Sequence, residues 1–371
     1  MTDQDDPPLE VGVIGFGLGG ASFHAPLIDA TSGLRLAAVV TSNPERRRAV
    51  HERYPHAATV ESVAGLWALT PPLDVVVVTS PNASHAPLAR EALAHGCHVV
   101  VDKPFAGTAA EVREIAHLAE NAGRLAIPYQ NRRWDGDFLT IQRLLADGAF
   151  GDLYRLESRY ERWRGAPKPR WCDPDARRDV EGILYDLGSH LIDQALVLFG
   201  PAREVYAELE RRHPEVYVED EAFVSLLHEN GVRSQLHVSA MAAQPGPRFT
   251  VRGSRAAYVK YGLDVQEDAL RAGAVPGGAA WGEEPPDRWG TLGMESAHQP
   301  VRTEPGNYLG FYAGVVDAIR RDAPPPVPIV DAVAMLEVVE AAFLSAWRRR
   351  VVRLSEMREA LPSSAPAPPA G

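Results

Sequence analysis

Leu9-Glu-Val-Gly-Val-Ile14 runs straight into Gly15-Phe16-Gly17-Leu-Gly-Gly20. The first six residues read as a strand and the next six as a turn into a helix carrying Phe23 and Leu27. In that setting G-x-G-x-x-G has a physical meaning. Gly15 allows the tight turn, and Gly17 lets a pyrophosphate approach the backbone past Phe16. Gly20 lets the helix pack on the strand, and the helix start attracts the anion. The stretch predicts a Rossmann dinucleotide-binding unit at the head of the chain.

The next elements extend that unit. Leu34–Val40 is predicted as its second strand. An NAD site usually has an acid at this strand's tip, for the ribose 2′-hydroxyl. Here the tip reads Thr41-Ser42-Asn43-Pro44-Glu45-Arg46-Arg47. Ser42 leaves room for a 2′-phosphate, and Arg46 and Arg47 can pair with it. This favours NADP, with NAD possible. A further buried strand, Asp74–Val78, ends in Thr79-Ser80-Pro81-Asn82, with His85 close behind. These residues are candidates to line the ribose and nicotinamide, although a plain loop would look the same. Val99-Val100-Val101 then leads into Asp102-Lys103-Pro104. Pro104 should stop that strand and leave Lys103 at the carboxyl rim, where open α/β sheets bind their ligands. A helix is predicted over Ala109–Asn121, with Gly123 just past its end. Leu125–Pro128 closes a sheet of roughly six strands.

Beyond residue 128 the pattern changes. A helix over Phe138–Leu145 is followed by long period-two stretches at 153–160, 202–209, 222–227, 232–238 and 248–252. These predict an α+β domain with a large, mainly antiparallel open sheet. Gly273–Gly293 reads as a loop. Tyr308–Arg320 and Asp331–Ala346 read as helices, the second apolar nearly all round and so buried between layers. The expected division is a Rossmann domain at 1–127, a substrate and oligomerisation domain at 128–358, and a disordered tail at 359–371.

Composition narrows the function. With 371 residues, 45% hydrophobic and 23% charged, the chain reads as a two-domain globular protein. A formal net charge of −11 disfavours nucleic acid as a partner. No apolar run approaches the ~20 residues that a membrane span needs. Cys97 and Cys172 form no CxxC, which suits a reducing cytoplasm and no metal.

The second informative stretch is Leu184-Tyr185-Asp186-Leu187-Gly188-Ser189-His190. On a helix, Asp186 and His190 lie one turn apart, and a carboxylate there can orient an imidazole. With Lys103 they make the set that alcohol oxidation requires, a group to take the hydroxyl proton while hydride leaves the same carbon. A histidine merely hydrogen-bonded on a semi-buried helix would show the same spacing.

These marks together resemble the Gfo/Idh/MocA oxidoreductases over roughly residues 9 to 355. They are Gly15-x-Gly17-x-x-Gly20, Lys103-Pro104 and Asp186-x-x-x-His190. Phe23-His24-Ala25-Pro26-Leu27, Asn131-Arg132-Arg133-Trp134-Asp135, Tyr185–His190 and Lys260-Tyr261-Gly262-Leu263-Asp264 resemble the branch that contains NADP-dependent scyllo-inositol dehydrogenase. The resemblance implies that Lys103 is the catalytic lysine, Asp186 an orienting group and His190 the acid/base. It implies substrate contacts at Arg132 and, more weakly, at Asn131 and Tyr185. Trp163 and Arg164 are further cleft candidates. Asp102 departs from the glutamate common before the family's lysine.

The expected activity is therefore hydride transfer between nicotinamide and a secondary hydroxyl of a cyclic polyol or sugar. Oxidation of an aldose to a lactone and a non-catalytic nucleotide sensor are the alternatives. Too few helices follow residue 150 to cover the second sheet, which predicts a homodimer or homotetramer.

Overall fold

The computed structural model describes residues 6–359. Apart from Glu359, the expected tail at 359–371 lies outside the described residues. The first sheet contains β1 (Leu9–Ile14), β2 (Leu34–Val40), β3 (Ala58–Val60), β4 (Val75–Val78), β5 (His98–Val101) and β6 (Ala126–Pro128). All pair in parallel, in the order β3-β2-β1-β4-β5-β6. Direction of travel reverses between β1 and β4, which is the switch point where such folds bind nucleotides. Val75–Val78 and Val99–Val101 are almost wholly buried, as strands covered on both faces should be. The short β3 has no apolar run, so the sequence pattern passed over it.

The second sheet contains β7 (Leu153–Glu161), β8 (Ala202–Glu210), β9 (Glu221–His228), β10 (Arg233–Ser239), β11 (Phe249–Gly253), β12 (Ala257–Lys260), β13 (Gly290–Met294), β14 (Ala297–Val301) and β15 (Val352–Arg353). Its order is β14-β13-β12-β11-β7-β10-β9-β8-β15. Only β7 and β10 run parallel; every other pair is antiparallel. The fold is thus a Rossmann domain followed by a mainly antiparallel open sheet, as expected. Residues 273–289 form the expected loop, broken only by a short turn at Pro286–Arg288; its end differs, because Gly290 already opens the hairpin β13–β14. The hairpin's polar residues on an exposed edge carry no two-fold hydrophobic pattern.

Two helices tie the layers together. Ile329–Arg348 packs against β8 on one side and against Ala109–Ala122 on the other, buried between layers as its all-round apolar surface predicts. The helix Leu309–Arg321 returns to the first sheet. Phe311, Tyr312 and Val315 join Val11, Val13, Leu27 and Ile28 in one core. The two expected domains therefore share packing at this point. The helix Ala109–Ala122 has a capping box between Thr108 and Glu111 and ends at Gly123 with φ +61°. This anchors the segment that follows Lys103.

Candidate active site

The phosphate-loop geometry follows from its glycines. Gly15 has φ +104°, and a Cβ there would lie 2.7 Å from the Thr79 carbonyl. A Cβ on Gly20 would collide with the Gly15 carbonyl, so the helix start can approach β1 only without one. Gly17 faces open space, with no atom within 4 Å of where its Cβ would stand. That is the cradle a pyrophosphate needs. The turn after it is a π-helix at Gly19–His24 leading into Ala25–Asp29. Phe16 points the other way and packs into the core, 5% exposed.

The expected 2′-phosphate end is partly committed. Asn43 caps the helix Pro44–Arg53 by accepting from the Arg46 amide. Ser42 and the Arg46 side chain are exposed. Arg47 instead pairs with Glu61, a carboxylate at the end of β3. That contact spans strands and could not be read locally.

Among the residues expected to line the ribose and nicotinamide, several serve the fold. His85 bridges two backbone carbonyls, Pro104 through Nδ1 and Ser80 through Nε2, each at 2.8 Å. The Asn82 amide donates to the Val180 carbonyl, and the Ser80 hydroxyl meets that of Ser84. Pro81 is exposed and Pro104 is buried. Thr79 donates to Asp102 at 3.3 Å, and the same carboxylate accepts from the Lys103 amide at 2.8 Å. Asp102 also has an unforeseen partner. His24 Nε2 lies 3.6 Å from its Oδ2, while His24 Nδ1 meets the Tyr312 hydroxyl at 2.6 Å. Burial would raise the Asp102 carboxyl, but His24, Lys103 and His85 draw it down to about 2.

Lys103 stands just past β5, as expected. Its Nζ donates to the Asp186 carbonyl at 2.8 Å and to Asp186 Oδ1 at 3.1 Å. Asp186 lies on a π-helical turn, Leu184–Gly188, that runs into the helix Ser189–Phe199. The expected Asp186–His190 partnership is not what forms. Asp186 Oδ2 is taken by Lys168, and His190 Nδ1 instead meets Gln130 Oε1 at 3.3 Å. The one-turn spacing is present, but two ammonium groups outcompete an imidazole for the carboxylate. Burial opposes ionisation of Asp186, yet the two lysines hold it far below the ordinary carboxylate range. Burial, with Lys103 and Arg132, pushes His190 well below its ordinary value. An amide oxygen only accepts, so Nδ1 carries the hydrogen and Nε2 keeps its lone pair. That is a neutral imidazole whose Nε2 carries no hydrogen.

Arg132 is buried and ion-paired, at 2.5 Å to Glu267 and 3.4 Å to Asp135, beneath the Tyr160 ring. Asn131 is buried beside it. The Tyr185 hydroxyl donates to the Gly107 carbonyl, tying the Asp186 turn to the loop after Lys103. Past the end of β7, Arg164 is half-buried, whereas its neighbour Trp163, bridged to Met241, is exposed. His24, Gln130 and Lys168 are the site residues that the sequence reading left without a role. Among the described residues no cluster of metal-ligating side chains occurs, and no helix is long and apolar enough to cross a membrane.

A parallel sheet with a glycine cradle at its switch point, and a lysine, carboxylate and neutral imidazole at its rim, defines a nucleotide-dependent oxidoreductase. The family described as "Oxidoreductase family, NAD-binding Rossmann fold" matches residues 9–130, and "GFO/IDH/MocA C-terminal domain" matches residues 138–259. The chain belongs to the Gfo/Idh/MocA family of NAD(P)-binding oxidoreductases. It is 38% identical to an uncharacterized oxidoreductase of Escherichia coli (strain K12), YdgJ, over 94% of this chain and 99% of that one. It is 33% identical to scyllo-inositol 2-dehydrogenase (NADP(+)) IolW of Bacillus subtilis (strain 168), over 93% of this chain and 96% of the relative. The crystal structure of an oxidoreductase from Bacillus cereus, 28% identical, superposes with a TM-score of 0.83 over 93% of this chain and 98% of that one.

Proposed function

We propose that this protein is an NADP-dependent dehydrogenase acting on a secondary hydroxyl of a cyclic polyol or sugar, with His190 as acid/base and Lys103 and Asp186 completing the catalytic set. The observation that carries the reading is Lys103 reaching across the cleft to Asp186, beside an imidazole held neutral. The bound nicotinamide would supply the hydride acceptor. In that setting His190 Nε2 receives the hydroxyl proton, and the Lys103 ammonium stabilises the developing alkoxide. Gly15, Gly17 and Gly20 would cradle the pyrophosphate, and Ser42 and Arg46 would hold a 2′-phosphate. The likeness to a relative named as an inositol dehydrogenase supports the substrate class. Two free cysteines support a cytoplasmic setting.

The test is the absorbance of reduced nicotinamide during incubation with a panel of inositols, inososes and aldoses, using NADP and NAD separately. Turnover of cyclic polyols with NADP is the expected result. Turnover of aldoses alone would replace the reading with an aldose dehydrogenase. Cofactor binding with no turnover across the panel would replace it with a nucleotide sensor.

A further inference from the structure

We propose that Lys168 is a positioning residue of the acid/base site, holding the second oxygen of Asp186 so that this carboxylate stays off His190. The inference rests on the catalytic reading given above.

Asp186 has two oxygens and two lysines. Oδ1 accepts from Lys103 at 3.1 Å, and Oδ2 is taken by Lys168. His190 begins the next helical turn, yet its partner is the neutral Gln130. Charged groups from several elements bear on the imidazole. Lys103 comes from the end of β5, Arg132 from the turn after β6, and Arg248 from the lead into β11. All three are cations. Asp186 is the one anion among these groups. Its orientation therefore decides whether the imidazole has a counter-charge.

Lys168 is not a free surface lysine. Its carbonyl accepts from the Trp171 amide at 2.9 Å, and its ammonium sits 5.0 Å from the centre of the Trp171 ring. Trp171 is 1% exposed, and its own carbonyl accepts from the Tyr217 amide. The loop thus presents the ammonium from an anchored platform. A cation–π contact and a charge-assisted hydrogen bond hold it there. With Lys168 removed, the freed oxygen can turn toward His190 and favour the protonated imidazole.

The experiment uses the full chain with Lys168→Met, Lys168→Arg and Lys168→Gln, each alone and with Asp186→Asn. His190 is titrated by NMR on histidine-labelled protein, its signal assigned by its loss in His190→Asn. Lys168→Met should raise the His190 midpoint by about one pH unit, the effect of an opposite charge arriving nearby. Lys168→Arg should restore the parental value. In the Asp186→Asn background, Lys168→Met should shift the midpoint far less. With a substrate in hand, the acid limb of kcat/KM for oxidation should move up with the midpoint. A merely structural lysine would lower stability and leave the midpoint in place, which would overturn the proposal. Should Lys168→Met fail to fold, Lys168→Gln decides, and an unchanged midpoint there overturns it equally. A parent enzyme that turned over no polyol or sugar would sink the functional reading alone, because the titration needs no substrate.

Discussion

Lys103 and Asp186 stand 83 positions apart in the chain and meet at 3.1 Å, one from the first sheet's rim and one from the turn above it. Neither side chain is more than about a quarter exposed, at 21% and 23%. His190→Ala and Lys103→Ala should each lower kcat by about 10²–10⁴-fold, the worth of a positioned acid/base. Cofactor affinity should survive His190→Ala. Asp186→Asn should lower stability as well as kcat, because it removes the negative charge and one of the two side-chain oxygens that accept from two ammonium groups. The loss should be roughly 1.5–3 kcal/mol, that of a charged hydrogen bond. Steady-state kinetics beside thermal melts check this. Near-parental kcat in His190→Ala would transfer the base role to Lys103.

The glycine cradle separates folding from binding. Gly17→Ala places a methyl group in open space, so its melting temperature should match the parent while cofactor affinity falls. Gly20→Ala drives a methyl into the Gly15 carbonyl and should cost about 1–3 kcal/mol of stability, as overpacking does. Melts and fluorescence titration with cofactor read both. Undiminished cofactor binding in Gly17→Ala would show that the pyrophosphate lies elsewhere.

Cofactor choice should rest more on Arg46 than on Arg47, since Arg47 already pairs with Glu61. Arg46→Ala should weaken NADP binding by roughly 1.5–3 kcal/mol and leave NAD binding nearly unchanged. Arg47→Ala should do less. Calorimetric titration of both nucleotides decides. Equal affinity of the parent for NAD and NADP would remove the basis for the NADP preference.

Glu219 links the Asp186 turn to pH. It accepts from the Leu184 amide at 3.3 Å, and Gly182 beside it holds φ +118°. Burial pushes the Glu219 carboxyl up from the ordinary 4.5 to about 7. Between those values the folded state holds a proton that the unfolded chain has released. This contribution is therefore full below about pH 4.5 and is lost as pH rises through about 7. The gap corresponds to ~3 kcal/mol. Denaturant midpoints should fall between about pH 5 and about pH 8 in the parent, and Glu219→Gln should remove that component. Parallel pH profiles for the two proteins would count against it.

The second sheet's outward face carries Tyr206, Phe223, Leu227 and His237, all partly exposed, with the Phe223 and His237 rings 4.8 Å apart. Pairing of this face between copies should make the protein a homodimer or homotetramer. Light scattering at micromolar concentration checks it. A monomer there would refute the assembly.

The chain's own pattern determined the frame. Short β-branched runs, the glycine turn and period-two stretches are local signals, legible because strand and helix geometry repeats every few residues. They located β1, β2, β4, β5 and β6, the second-sheet strands from β7 to β11, and the rim position of Lys103. Only the tertiary structure decided the partnerships. Asp186 four residues before His190 reads as a pair, but the carboxylate turns to Lys103 and Lys168, from segments the spacing cannot see. Arg47 looks free for a phosphate until β3 brings Glu61 beside it. His24 acquires its role only when Asp102 and Tyr312, far apart in the chain, close on its two ring nitrogens. Local periodicity places backbone. Which charges neutralise one another depends on contacts between distant segments, and those exist only once the chain has folded.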